Sequence, residues 1–180
     1  MTPENQETLF MAIELRLEDH MTEEEYERLF NWGEDIWGLG NLELEWRPKD
    51  WHIFVDDDGR AATHVGMLKH TVTVGGRPIV VGGVGGVATA LDAQGQGYAQ
   101  SGMRRAASFM SENLGVEFGL LFCRDQLVPF YERLGWQLVN EPTDFEQSKG
   151  TMRSPLNVMV LPFGGREWPS GAIRLDSLPW

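Results

Sequence analysis

The chain has 180 residues, 42% of them apolar, enough for one packed core and too few for two independent ones, so 1–180 reads as a single domain. Its formal charge of −12 argues against the Lys/Arg patches that neutralise a nucleic acid, and no segment approaches the roughly 20 apolar residues of a membrane-spanning helix. The single cysteine, Cys123, excludes an internal disulfide and a cysteine-built metal site, and reads as a small buried residue on a strand. The opening MTPENQETLF lacks the charged-then-apolar layout of a signal peptide. A cytoplasmic protein with neither metal, membrane nor nucleic-acid partner is expected; a homodimer is compatible with these features.

In chain order, residues 4–19 read as a helix, with Leu9, Ile13 and Leu17 at four-residue steps. A second helix starts at Thr22, an N-cap with Glu25 three residues on as in a capping box, and runs to about Trp32. From Trp51 to Thr89, β-branched runs broken by DDDG and VGGRP predict three antiparallel strands. Ala99, Met103, Ala106, Met110 and Leu114 then recur at helical spacing, with Gly115 placed as a left-handed stop. VEFGLLFC reads as a strand. DQLVPFYERLG reads as a short helix with Leu127, Phe130, Tyr131 and Leu134 on its apolar stripe, Pro129 early enough to be tolerated, and Gly135 as the stop. WQLVN and LNVMVLPF close the chain as strands around a polar loop, 141–155. The fold class is α/β (α+β): a mixed sheet with helices on both faces, and a right-handed parallel crossover from about 78 to 123.

The glycines of VGGVGGVATALDAQGQGYAQ fall into two groups. Gly82, Gly83, Gly85 and Gly86 lie inside a predicted strand, where glycine marks a bulge or the close approach of another chain or ligand. Gly95 and Gly97 stand just before a helix, where residues without Cβ let successive N–H groups converge on an anion at the positive end of the dipole. QGQGYA is therefore either a pyrophosphate cradle or a plain strand-to-helix turn. The spacing lacks G-x-G-x-x-G, and no Gly-Lys-Ser/Thr follows, which disfavours a dinucleotide fold and excludes a P-loop.

VATALDAQGQGYAQSGMRRA resembles the acyl-CoA signature of the GCN5-related N-acetyltransferases (GNAT), with Gln94, Gly97 and Ala99 at its defined positions. VPFYERLGW resembles the same family's later segment, and two motifs in the right order are far more specific than one. The resemblance covers roughly 50–163 and implies a mostly antiparallel mixed sheet, splayed at the parallel pair that binds acyl-CoA. Within the family the chain is most similar to aminoglycoside 2'-N-acetyltransferases, which share its size, a late Val-Leu-Pro strand like Val160-Leu161-Pro162 and a closing tryptophan like Trp180. Those enzymes carry a glutamate in the glycine strand where this chain has Gly85, which leaves the substrate and the base open.

The resemblance implies acetyl-CoA as acyl donor, without a metal. Backbone amides from Gln94, Gly95, Gln96, Gly97, Tyr98 and Ala99 would hold the pyrophosphate, with Arg104 or Arg105 along the helix. Val87 and Thr89 would pair with the pantetheine arm, the Val87 N–H would polarise the thioester carbonyl, and Tyr131 would protonate the leaving thiolate. For the acceptor, Trp32, Glu34, Asp35 and Trp180 are candidates, the two acids suiting an ammonium. Asp56, Asp57, Glu43, Glu45, His64 and His70 are candidate bases with no choice among them. The expected activity is N-acetylation of a small, cationic primary amine, aminoglycoside-like in one form. The alternatives are a non-catalytic acyl-CoA-binding module and a peptide or protein N-acetyltransferase.

Overall fold

The structure, a computed structural model, describes residues 13–180. The helix expected over 4–19 is corrected where it can be compared: Ile13–Glu18 forms a strand, β1, and residues up to 12 lie outside the described part. The four-residue spacing of Ile13 and Leu17 also fits period two, and IELRLE alternates strictly. Pairing with β2 then decides for strand. Arg16, on the inward side of β1, reaches Asp56 and Glu25 and lies 4.7 Å over the Phe54 ring.

Helix α1 (Glu23–Phe30) begins as expected, with Thr22 Oγ1 accepting from the Glu25 N–H and the Glu25 carboxylate accepting from the Thr22 N–H. Three antiparallel strands follow, β2 (Trp51–Asp57), β3 (Arg60–Val74) and β4 (Arg77–Thr89). Their hairpins turn on Asp58-Gly59 and Gly75-Gly76, each pair with positive φ, as a two-residue turn matched to strand twist requires. Helix α2 (Tyr98–Phe109) runs into one π-helical turn, Met110–Leu114, and stops at Gly115 with φ 60. Strand β5 (Phe118–Cys123) pairs parallel with β4 and completes the crossover.

Beyond it come α3 (Val128–Glu132), β6 (Gln137–Val139) and β9 (Asn157–Pro162). The stretch expected as a polar loop, 141–155, instead holds a hairpin of β7 (Thr143–Gln147) and β8 (Gly150–Arg153). Its residues are polar because they face solvent; the centre of β7, Phe145, is only 1% exposed. β10 (Ile173–Arg174) lies between β7 and the far end of β3. The sheet order is β6-β9-β5-β4-β3-β10-β7-β8, and β2 with β1 branches from the first half of β3.

Alternation along the central strands feeds two cores. Met67, Val84 and Leu121 pack under α2 and α3 with Met103, Ala106, Met110, Tyr131 and Trp136. Leu68, Val81 and Leu120 pack on the other face with Phe118, Phe145 and Trp180. The glycines expected to open the strand are in part packing residues. A Cβ at Gly82 would sit 2.8 Å from Met110 Cγ, and one at Gly83 2.5 Å from Trp180 Nε1. Both lie where β4 is still paired with β5, so only Gly85 and Gly86 belong to the opening.

Candidate active site

Pairing of β4 with β5 ends at Val84 opposite Leu121, although β4 continues to Thr89 and β5 to Cys123. The divergence has a local cause on the other edge of β4. There Gly66 faces Gly85 and His64 faces Ala88, so Gly86 and Val87 together stand opposite Val65. This bulge, with Gly86 at φ 59, bends β4 away from β5. The Val87 and Thr89 carbonyls accept from Trp37 Nε1 at 3.2 Å and Gln94 Nε2 at 3.4 Å. Alternate residues of a strand turn their main-chain polar groups to the same edge, so Val87 and Thr89 present theirs to the cleft.

Two cavities occupy the cleft. The first, about 520 Å³, lies between Val84–Val87, Leu121–Cys123, Tyr131 and a strap that brings in Asp35, Trp37, Glu43, Trp46 and Lys49, with Trp180 at its floor. The second, about 460 Å³, runs past Thr89 and the segment Gln94–Gln100, against Trp32 and Phe130. Trp37, Val87, Arg124 and Leu127 line both.

The glycine turn at the start of α2 is built as an anion cradle would be. Gly95 and Gly97 have φ 75 and 84, and a Cβ at either would meet nothing within 4 Å. The first amides of α2 have no partner within the helix. Gln94, Gly95, Gln96, Gly97, Tyr98 and Ala99 all line the second cavity, as do Val87 and Thr89. The Tyr98 hydroxyl points elsewhere, donating to Asp57 Oδ2 at 2.6 Å. Arg104 is exposed and lines neither cavity.

Tyr131 is 5% exposed, with its ring against Phe130 and Trp136. Among the described residues its hydroxyl has no hydrogen-bond partner, and burial pushes its pKa up, which keeps the phenol protonated. Burial also pushes the Cys123 thiol, on the same cavity wall, up to about 11.

The acceptor candidates divide. Asp35 and Trp180 line the first cavity, whereas Trp32 lines the second and exposed Glu34 neither. The Asp35 carboxylate accepts from the N–H groups of Gly40 at 2.9 Å and Leu39 at 2.8 Å, which hold its pKa low and commit it to shaping the strap. Among the candidate bases, Asp56 is tied to Arg16, Asp57 to Tyr98, Glu45 to Ser148, and His70 to Arg47 and the Leu175 carbonyl. His64 is bonded to Gly86, and only Glu43 of the six lines the first cavity.

Gly85 itself has a structural reason. A Cβ there would lie 2.6 Å from the main-chain carbonyl carbon of Trp180 and 2.8 Å from Lys49 Cε, so no carboxylate side chain fits at this position. Lys49 is the residue sequence reasoning missed. It extends over Gly66 and Gly85, donates to the Arg47 carbonyl at 2.8 Å, and lacks a carboxylate partner among the described residues. Burial and the nearby Arg47 charge push its pKa down to about 8. RPKD reads as an ordinary solvated loop, and only the strap's path across the bulge buries this amine.

A sequence model of the acetyltransferase (GNAT) domain matches residues 19–139. The chain belongs to this acetyltransferase family. A search of curated proteins finds no match. Among solved structures, the fold is similar to a GNAT family acetyltransferase from Brucella melitensis in complex with acetyl-CoA, at 16% identity over 89% of this chain and 94% of that one, with a TM-score of 0.54. It is also similar to the Escherichia coli GNAT family N-acetyltransferase YhbS in complex with CoA, at 16% identity over 94% and 96%, TM-score 0.58. Escherichia coli ElaA matches at 15% identity over 83% and 99%, TM-score 0.56.

Proposed function

We propose that this chain transfers the acetyl group of acetyl-CoA to the primary amine of a small molecule, cationic in solution, by direct attack while both are bound. The observation that carries the reading is the shared wall: the cavity with the glycine cradle meets the cavity with Tyr131 at Val87. The cradle amides of 94–99 would hold the pyrophosphate, and the main-chain edge of Val87 and Thr89 would pair with the pantetheine arm. Both reacting groups then meet beside the Val87 N–H, placed to take the charge that builds on the carbonyl oxygen. The new N–C bond forms as the C–S bond breaks, and the Tyr131 hydroxyl gives its proton to the departing sulfur. In water this transfer is uphill by about 1.5 pKa units, or ~2 kcal/mol. Burial raises a thiolate leaving against the same wall, as it raises Cys123 to about 11, but it raises Tyr131 too, so the transfer stays uphill and depends on hydrogen-bond contact with the sulfur.

An attacking amine must be neutral. At pH 7 an amine of pKa about 10.4 costs roughly 4.6 kcal/mol to deprotonate, but a site that lowers an ammonium to about 8 cuts this to roughly 1.4 kcal/mol. Burial and the Arg47 charge have this effect on Lys49 at the same cavity wall, and its neutral form, the minority at pH 7, would take the proton shed on attack. The walls Trp37, Leu39, Leu44, Trp46, Phe122 and Trp180 favour an amine with an apolar body over the polyhydroxylated aminoglycosides.

Thiol release from acetyl-CoA across arylalkylamines, polyamines, aminoglycosides and short peptides tests the reading. Amine-dependent release, strongest with the arylalkylamines, is expected. CoA binding with no amine-dependent release would overturn catalysis, and release confined to peptides would move the substrate class.

A further inference from the structure

The Val87 N–H belongs to the bulge of β4. A bulge peptide is held less firmly than a laddered one, because the extra residue leaves the pairing locally broken. Here the peptide has a dedicated partner. His64 Nδ1 lies 2.6 Å from the Gly86 carbonyl oxygen, and His64 Nε2 lies 2.8 Å from His52 Nδ1. A carbonyl only accepts, so the His64 proton is on Nδ1; Nε2 is then the acceptor, and His52 Nδ1 must donate to it. The tautomer of each ring follows from one fixed carbonyl.

The His64 ring is 2% exposed, packed by Phe30, Phe54 and His52, and burial keeps it neutral, with its pKa pushed down to about 3. It is therefore a rigid single donor across the neutral range. Among the described residues no cis peptide is present, and in a trans peptide the N–H points opposite to the C=O. A donor that pins the Gly86 carbonyl toward β3 thus pins the Val87 N–H toward the cleft, the edge already marked by the Trp37 contact to the Val87 carbonyl.

We propose that His64, oriented by His52, is a positioning residue for acyl transfer: by holding the Gly86 carbonyl it aims the Val87 N–H at the oxygen of the reacting thioester carbonyl. This rests on the acetyltransferase reading above. It assigns His64 a task other than that of a base, since its only proton is committed to Gly86 and its free lone pair to His52.

The test compares H64L, H64N and G86A in the full chain. Leucine fills similar space without a donor, whereas asparagine keeps an N–H at the place of Nδ1. G86A, where a Cβ meets only the His64 ring at 3.5 Å, strains the same peptide from the other side. Losing one oxyanion donor typically lowers kcat by ~100-fold or more, so misaiming one should cost at least ~10-fold. H64L and G86A are expected to lose that much kcat while CoA, which has no thioester carbonyl, binds within about threefold of wild type. Any preference of wild type for acetyl-CoA over CoA should vanish in both, and H64N should recover most of kcat. If H64L does not fold, G86A carries the same comparison. Unchanged kcat in H64L or G86A overturns the proposal, as does equal loss in H64N and H64L, or a loss of CoA binding in step with kcat. If wild type binds CoA but shows no amine-dependent turnover, the acetyltransferase reading fails instead, which keeps the two failures distinct.

Discussion

Replacing Lys49 with methionine should make the protein more stable and less active. The amine titrates at about 8 in the folded chain against 10.5 for an ordinary lysine, because burial and the Arg47 charge penalise its ammonium. Between those values the unfolded chain binds more protons than the folded one, so wild-type stability rises with pH across that window. Below pH 8 both states carry the proton and the whole penalty is present. A shift of 2.5 units corresponds to about 3 kcal/mol, from which the lost bond to the Arg47 carbonyl removes ~1 kcal/mol. K49M should therefore gain about 2 kcal/mol at pH 7, and this gain should shrink from pH 8 upward and reverse slightly near pH 10.5. Urea unfolding of both proteins at half-unit intervals from pH 7 to 10.5 measures the difference, in which the titration of all other groups cancels. A difference that stays flat over that range, or a variant destabilised at pH 7, would refute the assigned burial. In the same variant kcat/KM for the amine should fall and lose its rise near pH 8, a trade of function against stability that buried polar groups in active sites commonly show.

Tyr131→Phe should lower kcat by ~100-fold with CoA affinity and melting temperature unchanged, since the hydroxyl has no partner among the described residues; stopped-flow thiol release and calorimetry measure both. Gly97→Val should raise the dissociation constant for CoA at least ~10-fold through strain at φ 84, costing about 1–2 kcal/mol of stability, because its side chain would extend into open space. Normal affinity in that variant would refute the cradle. Gly83→Ala should destabilise by about 1–3 kcal/mol, because its Cβ presses on the Trp180 indole that donates to the Leu120 carbonyl. Tryptophan near-ultraviolet dichroism that does not change in G83A would count against that packing.

The elements legible in the sequence are those whose signals are local. The Thr22 capping box, the Asp58-Gly59 and Gly75-Gly76 turns, and the α2 stripe ending at Gly115 each depend on residues a few positions apart, and all stand where expected. β1 and the β7–β8 hairpin were not legible for the opposite reason. Ile13 and Leu17 fit both periods until β2 supplies a partner, and TDFEQ becomes a strand by pairing with β8 and docking beside β10. The glycine turn that lines the second cavity was legible as well, since a contiguous motif carries it. The first cavity is assembled from a strap, two strands and Trp180, and no spacing along the chain encodes that Lys49 would come to lie over Gly66 and Gly85.

The glycine strand shows how composition alone misleads and where geometry decides. Four glycines in five positions look like one device for loosening a strand, yet each admits a different neighbour. Met110 crosses at Gly82, the Trp180 ring at Gly83, the Trp180 main chain and Lys49 at Gly85, while only Gly86 uses the left-handed backbone that glycine tolerates. Three of the four therefore serve close approach, and they do so on alternating faces of β4, where side chains would otherwise hold the two cores apart. This packing brings Trp180 and Lys49 to the bulge, and it also leaves no room for a side chain at position 85. A carboxylate introduced as G85E should therefore disrupt the cavity floor before it can act as a base.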